Sequence, residues 1–167
     1  SGKSTLTAAL ALRGWRLLSD EFGLLDWRTG LLVPLPRAIP LKNRSIPVIR
    51  AFAPDAALGP VFPKTRKGDV AHLRPPADSR RRQLEPARPA WIVFPRYAAG
   101  SPLRIASLHD STAFARLSQN AFNYRLLGAT GFDALQALIR ACRCWSAQFG
   151  DLDGILSALD RLPPPQT

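Results

Sequence analysis

Apolar positions fall at helical spacing as soon as the first five residues are passed. In LTAALALRG, Leu6, Leu10 and Arg13 share helical spacings, alanine fills the rest, and Gly14 stands where a helix C′ residue belongs. The period then changes. WRLLSDE is a short apolar run closed by two acids, the pattern of a buried strand. FGLLDWRTGLLVPLP has two apolar arms around Asp26-Trp27-Arg28-Thr29-Gly30, which predicts a hairpin. A hairpin brings antiparallel pairing, so the sheet is expected to be mixed. IPLKNRSIPVIRAF begins a short helix that Pro47 limits.

Residues 53–90 are rich in Pro, Arg and Asp, which predicts the least ordered segment and a lid or substrate loop. Its middle, PKTRKGDVAHLRPP, carries a Gly68-Asp69 turn and four basic residues. WIVFPRY and LRIASL are two more strands, separated by an AAGSP turn. The remainder, about 110–162, has helical spacing. Asp110 or Ser111 caps a helix running to about Leu127, with Gly128 beyond it. Thr130 caps FDALQALIRACRCWSAQF, ended by Gly150, and Asp151 caps a last helix ended by Pro163-Pro164-Pro165. No internal repeat is present.

Composition bounds this picture. With 167 residues, 46% hydrophobic and 21% charged, one domain with a real core is expected. No apolar run reaches the roughly 18 residues of a membrane span. Cys142 and Cys144, the only cysteines, stand two apart in the expected helix and so point to nearly opposite sides. Two buried thiols in a reducing compartment is the plain reading. The net charge of +11 comes mostly from arginine. A nucleic-acid partner is one explanation; an Arg-, Ala- and Pro-enriching genome composition is the simpler one, so no specific nucleic acid is expected. Arg80-Arg81-Arg82 reads as a solvated charge run.

The chemistry begins at the first residues, SGKST. A phosphate-binding loop reads G-x-x-x-x-G-K-[ST]: its backbone N–H groups cradle phosphates, its Lys reaches the β and γ oxygens, and its hydroxyl binds Mg²⁺. Ser1 would be the last x; Gly2, Lys3 and Ser4 close the motif, with Thr5 behind them. The first glycine and the strand before it are absent, so the chain looks like an N-terminally truncated P-loop domain. On that reading residues 1–167 alone bind nucleotide poorly, and the open sheet edge invites self-association into a homo-oligomer. The triplet is short, and the elements behind it decide. Loop, helix, Gly and strand follow in the order a mononucleotide-binding unit requires, with the helix N-terminus at the phosphates. Asp20 comes 17 residues after Lys3, one helix and one turn later. That spacing suits a compact kinase whose base follows the first helix, and not an ATPase motor whose acids lie far downstream.

SGKSTLTAALALRGWRLLSDE resembles the core of HPr kinase/phosphorylase, where a GKS loop is followed by helix, Gly, strand and an acidic pair. LPRAIPLKNRS, KTRKGDVAHLRPP, WIVFPRY and SQNAFNYRLLG are more similar to the bacterial HPr-kinase-related kinase A group, which is linked to peptide-modification systems. The resemblance implies an α/β P-loop kinase core with a mixed sheet, of the HPr kinase/PEP carboxykinase type, and a helical C-terminal third. It implies ATP and Mg²⁺ as cofactors, a cytoplasmic location, and a small protein or peptide acceptor, possibly encoded nearby. Carried over by position, Asp20 is the base toward a Ser or Thr hydroxyl, Lys3 the phosphate contact, and Ser4 with Asp20 the Mg²⁺ ligands. Glu21 replaces the second Asp of HPr kinase. The histidine that partners the acid there would lie before Ser1, and the downstream glutamate signature is not evident. HPr itself as substrate and the reverse phosphorylase activity are therefore not implied.

Two other functions fit the same residues. One is a small-molecule P-loop kinase with a pocket built by 53–90; the other is a non-catalytic ATP-binding module of a peptide-maturation system. Lys42 and Arg44 are candidates for phosphate or adenine contact, Arg66 and Lys67 for a charge-stabilising lid, and Arg96 for a strand-end site. His72 and His109 stand alone, without a cluster that would make a metal site or a triad. Asn120, Asn123 and Tyr124 are expected to make helix–helix hydrogen bonds.

Overall fold

In the computed structural model, which describes residues 2–163, the first helix begins at the lysine of the GKS triplet. Helix α1 spans Lys3–Leu12, and Gly14, at φ 99°, follows its C-cap as the spacing predicts. The hairpin is present too: β1 (Leu25–Asp26) pairs antiparallel with β2 (Leu31–Leu32). Its turn is built by Asp26, whose carboxylate accepts from Arg28 N at 2.9 Å and Thr29 Oγ1 at 2.9 Å. Those bonds hold the Asp26 carboxyl below its usual range.

Then come β3 (Ile39–Lys42) and α2 (Ser45–Phe52). Pro47 does not limit α2, because it sits in the first turn, where backbone N–H groups have no intrahelical acceptor anyway. Residues 53–90 correct the expectation of a disordered loop: they contain β4 (Phe62–Thr65), β5 (Gly68–Leu73) and α3 (Ala77–Arg81). Strand β5 buries Ala71 and Leu73 on one face and exposes His72 between them, a short alternation that the surrounding proline and arginine hide.

Strands β6 (Trp91–Tyr97) and β7 (Arg104–Ser107) lie where the apolar runs place them, but they do not pair with each other. The C-terminal part is less helical than its spacing suggests. Helix α4 (Asp110–Asn120) stops before Leu127, and α5 (Tyr124–Ala141) is kinked at Gly128. RCWSAQF is not helix but strand β8 (Arg143–Phe149), followed by α6 (Leu152–Leu159). Asp151 caps α6 as expected, accepting from Gly154 N at 2.7 Å. Pro164 and Pro165, expected to end that helix, lie outside the described residues, as does Ser1.

The architecture is mixed α/β. The described strands form three sheets, of which β6-β8-β7 is mixed: β6 runs parallel to β8, and β7 antiparallel. The contacts divide the chain into two compact units, residues 1–24 with 33–86, and residues 25–32 with 87–167. In the first, the antiparallel sheet β3-β5-β4 presents Ile39, Leu41, Ala71 and Leu73 to a core shared with Leu6, Ala8 and Ala9 of α1 and Ile46 and Ile49 of α2. The small alanine face of α1 is what lets that helix lie close to β3 and α2. In the second, one face of β8 puts Cys144 against Ala113 and Ile139, with Ile92 and Phe94 beside them. Its other face buries Ala147 and Phe149, and α6 packs on the same strand.

Tertiary contact also corrects several local readings. Cys142 ends α5 and Cys144 lies in β8, so the two thiols are not on one helix. Both are free, and burial pushes the Cys142 thiol up to about 11. Asn120 bonds the Arg116 carbonyl of its own helix at 2.7 Å, and Tyr124 meets Phe114 edge-on; among the described residues neither makes the expected helix–helix hydrogen bond.

The β4–β5 turn is latched to the β3–α2 turn by Asn43. Its Oδ1 accepts from Asp69 N at 3.1 Å, its own N–H donates to Asp69 O at 2.9 Å, and its Nδ2 reaches Lys67 O at 3.4 Å. Gly68 faces this latch at φ 84°, and a Cβ there would fall 2.2 Å from Asn43 Oδ1. Gly68→Ala is therefore expected to cost ~2–3 kcal/mol, from left-handed backbone strain plus the broken latch. Thermal unfolding should shift down by ~4–10 °C. An unchanged Tm would mean that the latch contributes nothing.

Candidate functional site

Gly2 occupies the N-cap of α1 in the left-handed conformation (φ 100°, ψ −3°), which turns the chain sharply into the helix. The helix start has no side-chain cap and no acid in its first turn. Leu6 N bonds back to Gly2 O at 3.0 Å, so the N–H groups of Lys3, Ser4 and Thr5 ahead of it have no intrahelical acceptor. The positive end of the helix dipole at the GKS triplet thus has no acid of its own helix beside it. Lys3 is exposed there, while Ser4 and Thr5 are half-buried.

Asp20 reaches this end of the helix. Ser4 Oγ donates to Asp20 Oδ2 at 3.0 Å. Asp20 Oδ1 is buried and has no hydrogen-bond partner among the described residues. Burial raises the Asp20 pKa; the hydroxyls of Ser4 and Thr7 partly offset that, Glu21 beside it adds to it, and the Lys42 ammonium pulls the other way. Thr7 is three residues after Ser4, on the same helix face. That spacing was readable in the sequence and Thr7 was missed.

The segment that delivers Asp20 corrects the strand expectation for WRLLSDE: no strand pairs with it among the described residues. It is held by other means. Leu17 N donates to the buried Ser79 Oγ at 2.9 Å, and Leu18 O accepts from Leu35 N at 2.7 Å. The Arg16 guanidinium reaches Glu85 O at 3.0 Å and the Glu85 carboxylate at 3.5 Å. Ser19 Oγ then accepts from Glu21 N and Phe22 N at 3.3 and 3.1 Å, closing a turn right after Asp20.

Gly2, Lys3, Ser4, Thr5 and Asp20 therefore lie at one helix end, with exposed Glu21 next in chain. Lys42 acts on Asp20 through its charge; Arg44, Arg66 and Lys67 are exposed on the turns at the same end of the sheet. Arg96 belongs to the second unit. His109 caps α4, its Nδ1 accepting from Ser111 N, and His72 is an exposed member of β5. The second unit has its own cavity of ≈ 680 Å³, lined by Trp27, Arg88 and Leu138 among others, and no predicted site residue lines it.

Among the described residues no three His, Cys, Asp or Glu side chains cluster to hold a metal by themselves. Ser4 Oγ and Asp20 Oδ2, 3.0 Å apart, do fit neighbouring ligand positions of Mg²⁺, which takes one or two protein oxygens and completes its shell with water and phosphate. No described helix is long and apolar enough to cross a membrane. Comparison with family models, curated proteins and solved structures yields no match to this chain.

Proposed function

We propose that the protein is an ATP-dependent kinase with an α/β P-loop core of the HPr kinase type, which transfers the γ-phosphoryl group to a Ser or Thr hydroxyl of a small protein or peptide. The observation that carries this reading is Asp20: a half-buried carboxylate with one oxygen on Ser4 and the other unpartnered, set against an uncapped helix N-terminus that begins with lysine. Phosphoryl transfer asks for positioning, positive charge on the phosphates and an acceptor for the hydroxyl proton, and these groups match those needs.

The geometry supports the following roles. The free N–H groups of Lys3, Ser4 and Thr5 and the Lys3 ammonium bind and orient phosphate oxygens. Ser4 Oγ and Asp20 would hold Mg²⁺, which, when bound, offsets charge on the phosphates. Asp20 takes the proton of the acceptor hydroxyl on the oxygen not bonded to Ser4, and its raised pKa makes it a better base than an exposed aspartate. Ser4 keeps that carboxylate aimed.

The test is to give the full-length protein ATP, Mg²⁺ and Ser- or Thr-containing peptides and to follow the label from γ-phosphate. Phosphoserine or phosphothreonine is the expected product. ATP bound without turnover would identify a binding module instead, and label appearing only on metabolite hydroxyls a small-molecule kinase.

A further inference from the structure

The acceptor class is written in charge beside the site, an inference that rests on the kinase reading. Two turns of the first unit converge through the Asn43 latch, and together with the strand ends beside them they carry Lys42, Arg44, Lys64, Arg66 and Lys67. All five side chains are exposed, and none forms an ion pair among the described residues, where the ion pairs found involve Arg16, Arg81 and Arg82. The one acid between them, Asp69, is already engaged, its Oδ1 accepting from Lys64 N at 3.1 Å. Composition alone scatters arginine; here the tertiary structure gathers five cations from two distant stretches around a single acid, Asp69, and leaves them in excess over it. The cluster also runs into the site, since the Lys42 charge acts on Asp20.

We propose that this basic turn pair is the docking surface for an acidic segment of the acceptor, which brings its Ser or Thr to Asp20. Like-signed peptides are repelled and acidic ones steered in, so the cluster sets specificity as well as encounter rate. A nucleic-acid strand is less well served, because such sites interleave aromatic platforms with the cations, and Phe62 is the only Phe, Tyr or Trp on the β4–β5 hairpin.

The experiment uses the full-length protein and a labelled peptide with one serine flanked by Asp and Glu, its Asn/Gln counterpart, and a single-stranded oligonucleotide. Binding is read by anisotropy without ATP, then transfer with ATP-Mg²⁺. Arg66→Glu/Lys67→Glu should weaken binding of the acidic peptide about tenfold or more and raise its KM with kcat unchanged. Arg37→Glu/Arg80→Glu, with the same net charge, should not. The Asn/Gln peptide should bind at least about tenfold more weakly to the unaltered protein. The docking proposal is overturned if both double variants weaken binding equally, if the oligonucleotide binds more tightly through the same two residues, or if only the KM for ATP changes. Charge-selective peptide binding with no transfer would leave the docking surface standing and count against the kinase reading alone.

Discussion

Asp20→Asn is expected to lower phosphoryl transfer by about 10³-fold or more, to leave ATP affinity within about twofold, and to raise the melting temperature at pH 7. The three effects share one cause. The amide keeps an oxygen for the Ser4 hydroxyl but cannot accept the acceptor's proton. It also removes a negative charge that burial disfavours. The sign follows from linkage. The folded-state pKa of Asp20 lies above its unfolded value, so folding favours the protonated form. That contribution is fully present below the usual carboxylate range and is lost as pH rises through the raised folded pKa. The stability gain of the Asn variant should therefore be largest at neutral pH and vanish in acid. Transfer by the unaltered protein should climb over the same raised titration, because the base must be deprotonated. Paired measurements of transfer rate and of thermal unfolding against pH check both. A variant that transfers phosphate at the unaltered rate would falsify the base assignment. One that is less stable at pH 7 would mark Asp20 as a structural hydrogen-bonding residue.

Lys3→Ala is expected to reduce kcat/KM by about 10²–10³-fold and to weaken ATP binding, with stability moved by less than about 0.5 kcal/mol. The side chain is exposed and makes no hydrogen bond or ion pair among the described residues, so folding does not use it. Alanine is also the best helix former, which protects the first turn of α1. A large functional loss without a structural one is the signature of a ligand-facing charge. Titration calorimetry with ATP-Mg²⁺, alongside a melting curve, separates the two. Unchanged ATP affinity would remove Lys3 from the phosphate site, and with it the reason for reading the triplet as part of a P-loop.

Where local chemistry dominates, the residues alone sufficed. Helix α1 is legible because its alanine-rich spacing and following Gly14 agree. The hairpin is legible because Asp26 builds its own turn, and α6 because Asp151 caps it. The pairing of Ser4 with Asp20 follows from one helix and one turn of intervening chain, so the order of elements already foreshadows it.

Where pairing partners are distant, sequence was not enough. RCWSAQF has apolar residues at Cys144, Ala147 and Phe149, a spacing compatible with either period, and it follows a genuine helix. Only hydrogen bonding to β6 and β7, some fifty and forty residues earlier, makes it the central strand. Residues 53–90 look unstructured because Pro and Arg mask the short Ala71-His72-Leu73 alternation in β5, which the edges β3 and β4 then secure. WRLLSDE has the composition of a strand, yet Ser79, Leu35 and Glu85 hold it without ladder pairing. By itself the sequence determined the short-range features: the first helix and the glycine that opens it, the hairpin and the last cap, since each rests on groups within a few residues of one another. Tertiary structure alone decided the strand order, how far Asp20 is buried, and the gathering of Lys42 to Lys67 around Asn43. Those depend on which distant segments exclude water together, an energy that no local pattern encodes.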